Sequence, residues 1–509
     1  MTIHDEEVLG KAYDARLMRR LLTYLKPYRG SVVIALLVII GHSVLQLAQP
    51  YLMKLAIDQY IAAGDMAGLN RIALVFLFVL ISAFVLEYVR TYTLQLTGQR
   101  IMFDLRMEIY SHLQRLDMRF YDRNPVGRLM TRVTTDVDVL NDMFASGIVT
   151  VFGDIFMLVG IMTVLVSMDW RLALIAFSVL PLIIFITQWF RRNVRETYRT
   201  VRLWIARINA FLQEHISGMA TVQLFRREAL SYARFEDINR THRDSNIAGI
   251  VYYAVFYPTI EIIGALAASL IIWYGGAWVL QDSLTLGVLV AFLLYAQRFF
   301  RPISDMSEKF NMLQAAMASS ERIFTLLDTP VLLKNPKNPV SRSGQALGRI
   351  EFDRVWFAYT ENDFVLRDVS FEVAPGERIG IVGATGAGKT TIINLLMRFY
   401  DVTRGRICLD GVDIRELDLR GLRRLFSLVL QDVHLFSGSI ASNIRLGEQG
   451  ISDAAVEQAA ASVHADRFIA PLPGGFSSVV AERGANFSVG QKQILSFARA
   501  LAFDPRILV

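Results

Sequence analysis

The stretch Gly383-Ala384-Thr385-Gly386-Ala387-Gly388-Lys389-Thr390-Thr391 holds the residues best suited to chemistry in this sequence. A glycine, four residues and then Gly-Lys-Thr is the spacing of a loop that cradles nucleotide phosphates. Its glycines let backbone N–H groups turn inward, and a following helix N-terminus adds a favourable dipole. Lys389 brings a point charge to the β- and γ-phosphates, and the Thr390 hydroxyl a ligand for Mg²⁺. Such a loop needs a strand before it and a helix behind it. The apolar run 378–382 predicts the buried strand, and Ile392-Ile393-Asn394-Leu395-Leu396 the helix. These residues predict binding of ATP or GTP.

The elements that position this loop belong to a chain of mixed character. Its 509 residues leave room for two to four domains. A hydrophobic content of 53% and a mean hydropathy of +0.38 are too apolar for an ordinary soluble enzyme, and the excess lies before about residue 325. The net charge of +6 and pI of 9.3 raise nucleic acid as a partner. However, the arginines cluster beside apolar spans, where cytoplasmic membrane loops collect positive charge, and no recognition motif accompanies them. Nucleic acid is therefore not an expected partner. The single cysteine, Cys408, excludes an internal disulfide and suits a reducing cytoplasm. Residues 1–7 lack the basic and apolar regions of a cleaved signal.

In chain order, residues 14–26 alternate basic and apolar at helical spacing, and Pro27 stops that amphipathic segment, which is expected to lie on the membrane surface. Six spans of membrane-crossing length follow, at 31–56, 72–96, 148–168, 170–190, 250–273 and 284–300. Connections after the first, third and fifth are short and poor in Lys and Arg. Those after the second and fourth are long and basic, carrying Arg100, Arg106, Arg115, Arg119, Arg123, Arg128 and Arg132, then Arg191, Arg192, Arg195, Arg199, Arg202, Arg207, Arg226 and Arg227. The positive-inside rule puts both termini and both long loops in the cytoplasm, with the helices continuing into the cytosol. A helical pattern continues from Phe310 to Leu327, and Pro330, Pro336, Pro339, Ser341, Ser343 and Gly344 mark a linker. From Arg349 the pattern is soluble α/β, with strand-like runs 350–352 and 407–409 and a helix over 452–463. The reading is a helical membrane domain over 1–327, a linker over 328–348 and a phosphate-loop α/β domain over 349–509.

Four further stretches fall in the order and spacing of one family. Taken with the spans, the chain from residue 14 onward resembles an ATP-binding-cassette exporter half-transporter, six transmembrane helices followed by one nucleotide-binding domain. Val355-Trp356-Phe357-Ala358-Tyr359 resembles its adenine-stacking loop, with Tyr359 as the stacking ring and Trp356 a weaker candidate. Val429-Leu430-Gln431-Asp432 resembles its Q-loop, whose glutamine reaches Mg²⁺ and the attacking water; a neutral amide both donates and accepts there. Phe487-Ser488-Val489-Gly490-Gln491 resembles its signature sequence. The commoner pattern has Leu first and Gly third, but Ser488 and Gly490, which carry the γ-phosphate contact, remain. In the family the signature closes over ATP held by the opposite domain, so the resemblance implies a second half-transporter subunit, identical or related.

Glu482-Arg483-Gly484 resembles the exporter loop that contacts the membrane domain. Asn124-Pro125-Val126-Gly127-Arg128 and Gln213-Glu214-His215-Ile216-Ser217-Gly218 resemble the coupling helices it serves; read alone, each is equally a solvated turn. The family continues its sheet with apolar residues, Asp-Glu and later a switch histidine. This chain ends at Arg506-Ile507-Leu508-Val509, so the general base is expected beyond it, in a longer natural protein.

Ionisable residues inside apolar spans face protein or a water-filled cavity. Asp154, Glu87 and Glu261 are such residues. Glu87 and Arg90 are three apart and neutralise each other in the simplest reading. Tyr253, Tyr257 and Glu261 share one helical face beside Pro258, which is expected to kink the helix. That face either packs on another helix or lines a path for amphipathic or cationic substrate. The resemblance implies ATP-driven export of a hydrophobic drug-like compound or lipid across the cytoplasmic membrane, with ATP and Mg²⁺ as cofactors. An ATP-gated channel, a regulatory nucleotide-binding subunit and an importer on the same fold remain alternatives.

Overall fold

The computed structural model describes residues 14–340, 346–360 and 363–509. Residues 1–7 and the linker positions Ser341, Ser343 and Gly344 lie outside the described residues. The chain divides into two compact units, one drawn from Met1–Glu108 and Arg132–Thr325, the other from Ile109–Thr131 and Leu326–Val509.

The first unit is helical. The amphipathic segment forms the helix Ala15–Thr23, started by Asp14, whose carboxylate accepts from the Arg16 N–H at 2.7 Å. Its Leu21 is buried, Arg20 lies over the Phe324 ring, and the Tyr24 hydroxyl donates to Glu108. Among the described residues five helical stretches are long and apolar enough to cross a bilayer: Lys26–Ile61, Met66–Leu113, Val126–Met168, Trp170–Ser217 and Glu228–Leu280. At the sixth expected span stands the shorter apolar stretch Leu286–Phe299, which opens the helix Leu286–Leu327.

Local sequence explains most of these boundaries. The helix Ile148–Met168 matches its expected span, and the residue after it, Asp169, accepts from the Arg171 and Leu172 N–H groups to start the next helix. The expected span 170–190 is not one helix. It divides into Trp170–Phe177 and Leu180–Ser217, because Pro181 fits the first turn of a helix but cannot donate within one. By contrast the helix Glu228–Leu270 runs through Pro258 without interruption.

Small residues set how closely the helices pack. A Cβ at Gly160 would fall 2.5 Å from Leu47 Cδ1, so with glycine there Ile148–Met168 packs on Arg29–Leu55 without displacing the Leu47 side chain. The buried Asp136 accepts from the Ser319 hydroxyl at 2.9 Å and from Arg322 Nε at 3.0 Å, tying the helix Thr135–Asp142 to Leu286–Leu327.

In the second unit, β1 (Ile350–Ala358), β2 (Phe364–Val373), β3 (Arg404–Leu409) and β4 (Val412–Asp413) form an antiparallel sheet in the order β2-β1-β3-β4. Ile350, Phe352, Val355 and Phe357 of β1 point into the core, and the register shifts between Phe352 and Val355. Among the described residues two small ladders accompany it: β5 (Phe426–Ser427) pairs in parallel with β8 (Ile507–Leu508), and β6 (Gly438–Ser439) pairs antiparallel with β7 (Val479–Val480). The expected strand 378–382 is a correction: among the described residues it joins no ladder, and Val382 is 92% exposed. An apolar run becomes a strand only when a neighbour satisfies its backbone, and β5 and β8 satisfy each other instead. A second core gathers Leu435, Ile444, Val456 and Leu495 from the segment around the helices Ile440–Arg445, Asp453–Ser462 and Val489–Ala502.

Candidate nucleotide site

The phosphate loop leads directly into the helix Lys389–Leu396. Gly386 and Gly388 hold φ of +88° and +86°, a region open to glycine and strained for other residues. Gly388 has a second constraint, since a Cβ there would lie 2.7 Å from Leu366 Cδ2 in β2. The Lys389 ammonium donates to the Gly383 and Ala384 carbonyls at 2.8 and 2.9 Å, so the positive charge sits across the mouth of the loop. Gly383, Ala384, Thr385, Gly386 and Ala387 are exposed around it. This glycine-enforced curl around one ammonium fits a polyphosphate.

The two threonines have different surroundings. Thr390 is exposed, whereas Thr391 is buried and its hydroxyl is 3.1 Å from the Tyr359 hydroxyl. Tyr359 is thereby brought to the phosphate-loop helix, with its ring edge-on to Phe357 and Tyr400.

Two residues of the first long loop reach this site within the second unit. Arg119 donates to the Tyr359 carbonyl at 3.1 Å, and the Tyr400 hydroxyl donates to Asp122. Burial, then that hydrogen bond to a carboxylate, pushes the Tyr400 phenol well above its ordinary value. Sequence reasoning missed Tyr400 and Asp122, and counted Arg119 only as loop charge. The available signal was the aromatic pair Phe399-Tyr400 soon after the phosphate-loop helix.

Ser488 caps the helix Val489–Ala502: its hydroxyl accepts from the Gln491 N–H at 3.2 Å, and the Gln491 side chain accepts from the Ser488 N–H at 2.9 Å. The Ser-x-x-Gln spacing is thus a capping box in its own right. Phe487 turns toward the helical core, while Ser488, Val489 and Gly490 are exposed, so valine at the third position meets open space. Gln431 is also exposed. Arg499, on the signature helix, donates to the His434 and Asn443 carbonyls at 3.1 and 2.8 Å, linking that helix to the segment after Gln431. Burial lowers the Arg499 pKa from its ordinary value. In the Glu482-Arg483-Gly484 loop, Arg483 has a φ of +54° and its carbonyl accepts from Lys492 at 2.9 Å.

The membrane-domain candidates belong to the first unit. Tyr253 is 3.0 Å, hydroxyl to hydroxyl, from Tyr198 and stacks on Tyr257, while Tyr257 and Glu261 are exposed. Glu87 pairs with Arg90, and Asp154 pairs with Lys309.

A phosphate-loop unit on the same chain as apolar helices of bilayer length defines a nucleotide-binding multi-pass membrane protein. Family models match both parts: "ABC transporter transmembrane region" over residues 32–303 and "ABC transporter" over residues 366–509. The chain is 36% identical to an uncharacterized ABC transporter ATP-binding protein, YknV, of Bacillus subtilis, covering 99% of this chain and 84% of that protein. It is 32% identical to a putative multidrug export ATP-binding/permease protein, YgaD, of the same organism (97% and 86% covered). It is 31% identical to an ATP-dependent lipid A-core flippase of Syntrophus aciditrophicus (97% and 82% covered). The chain belongs to the ATP-binding-cassette transporter family, as a half-transporter of exporter type that couples ATP hydrolysis to transport.

Proposed function

We propose that this protein exports a hydrophobic or amphipathic compound, drug-like or lipid, across the cell membrane by alternating access, with both termini in the cytoplasm. It acts with a second half-transporter subunit. Tyr359 stacks on the adenine, residues 383–391 hold the phosphates, and Ser488, Gly490 and Gln491 meet the γ-phosphate of the nucleotide bound to the second subunit. Thr390 and Gln431 hold Mg²⁺, which neutralises charge on the phosphates. Among the described residues no cluster of three or more His, Cys, Asp or Glu can hold a metal, which suits an ion bound chiefly by phosphate and water. Tyr253, Tyr257 and Glu261 meet cargo on the exposed face of their helix.

One observation carries the coupling part of this reading. Residues Ile109–Thr131 of the first long loop belong to the nucleotide unit, where Arg119 and Asp122 bond to Tyr359 and Tyr400. These bonds between the loop and the residues around Tyr359 support the reading that nucleotide state passes through the loop to the helices it joins. The test is ATP-dependent uptake of a neutral fluorescent amphiphile into inside-out vesicles bearing the protein. Uptake that needs hydrolysable ATP supports export. Passive flux opened by ATP, or loss of preloaded dye, points instead to a channel or an importer.

A further inference from the structure

The first unit contains a cavity of about 660 Å³ whose walls are far more charged than its helices would suggest. Its polar groups come from stretches of membrane-crossing character: His42 from Lys26–Ile61, Glu87 and Arg90 from Met66–Leu113, Asp154 from Val126–Met168, and Arg298 from Leu286–Phe299. Lys309, further along the helix Leu286–Leu327, completes them.

Most of these charges neutralise one another. Glu87 pairs with Arg90 one turn away, and its other oxygen is 3.5 Å from His42 Nε2; Asp154 pairs with Lys309. Arg298 is different. Its guanidinium donates to the Gln46 carbonyl and the Gln49 amide oxygen, both at 2.6 Å and both neutral. No carboxylate among the described residues pairs with it. The described lining therefore carries three fixed cations, Arg90, Arg298 and Lys309, against two anions, Glu87 and Asp154. His42 can only add to that excess.

A cation in apolar surroundings without a counter-charge is costly, and such residues mark substrate or ion paths. A guanidinium has five N–H donors in a rigid fork that matches carboxylate and phosphate oxygens. Only two donor contacts of Arg298 are taken, so donors remain for a ligand. The cavity wall also includes Ala83, Met157 and the exposed ring of Phe84, surface suited to an alkyl chain. We propose that this cavity receives the headgroup of an anionic amphiphile, carboxylate or phosphate monoester, with Arg298 as its counter-charge. The inference rests on the export reading and names the charge class of the cargo.

The test is equilibrium binding, without ATP, to the full chain in nanodiscs of phosphatidylcholine, which adds no net lipid charge. Four fluorescent probes share one alkyl chain and end in a carboxylate, a phosphate monoester, a neutral amide or an ammonium. At least one anionic probe should bind tenfold or more tightly than the amide and the ammonium, and the stronger of the two identifies the headgroup. Arg298→Gln should remove that preference while leaving amide affinity within about twofold, and Arg298→Lys should keep most of it. Equal affinity for all four, or a preference for ammonium, overturns the proposal. So does Arg298→Gln weakening anionic and neutral probes alike, which is the mark of a structural residue. If Arg298→Gln fails to fold, the wild-type preference and the Arg298→Lys variant still decide. ATP-dependent uptake of the neutral dye is scored separately, so export can stand while this assignment falls.

Discussion

Gly386 and Gly388 have nearly the same φ, +88° and +86°, yet replacing each with alanine should have different consequences. Left-handed backbone costs an alanine about 1–2 kcal/mol, and both variants incur that cost. At Gly386 the new Cβ meets nothing within 4 Å, so the cost ends there. At Gly388 it would stand 2.7 Å from Leu366 Cδ2 and 3.3 Å from Val365 Cγ1. Leu366 is buried in the core of the nucleotide unit and has little room to yield. Overpacking of this kind adds about 1–3 kcal/mol. For a unit of this size each kcal/mol moves the unfolding midpoint by about 2–4 °C, so Gly388→Ala should melt roughly 2–12 °C below Gly386→Ala. The protein contains its own probe. Cys408 is the single cysteine, it is buried in β3, and burial pushes its thiol above the ordinary value. Thermal labelling of the full chain with a thiol-reactive coumarin maleimide, without nucleotide, therefore reports opening of this unit alone. Equal midpoints for the two variants, or a lower one for Gly386→Ala, would refute the claim that β2 packing makes Gly388 irreplaceable.

Lys389→Ala should raise the Kd for a fluorescent ATP analogue at least tenfold and abolish transport, because the loop loses the ammonium across its mouth; near-normal transport would sink the phosphate-loop assignment. Tyr400→Phe keeps the rings packed but leaves Asp122 without its donor, a loss of about 1.5–3 kcal/mol that should lower the Cys408 labelling midpoint, while an unchanged midpoint would mean the bond is not formed in solution. Asp136→Ala strips the acceptor from Ser319 and Arg322; because Arg322 is 45% exposed, the loss should be about 3 kcal/mol, the low end for a broken buried pair, read as earlier unfolding by tryptophan fluorescence. Burial raises the Asp413 carboxyl, but its bonds to Arg415 prevail and hold it below the ordinary range. Its contribution is therefore present above the ordinary carboxylate pKa and lost as pH falls through the lowered one, so Asp413→Asn should reduce the acid sensitivity of unfolding measured by circular dichroism.

Features governed by neighbouring residues were legible in the sequence alone. The Gly-x₄-Gly-Lys-Thr spacing, the helix Ile148–Met168, the continuation of a helix to Leu327 and the helix begun at Ser452 all depend on local periodicity, capping and backbone freedom. The Glu87–Arg90 pair was legible for the same reason, since one helical turn joins its members. Tertiary structure decided what depends on which distant segments meet. Arg119 finds the Tyr359 carbonyl across 240 residues and Tyr400 finds Asp122 across 278, pairings that no local pattern encodes. Apolar content at 378–382 promised a strand, but a strand exists only where another supplies its hydrogen bonds, and none does so there among the described residues. Arg298 reads in sequence as one more arginine near a helix end. Only the convergence of helices from four parts of the chain sets it against neutral oxygens and leaves its charge unmatched among the described residues, because electrostatic balance is a property of the space around a group, not of its place along the chain.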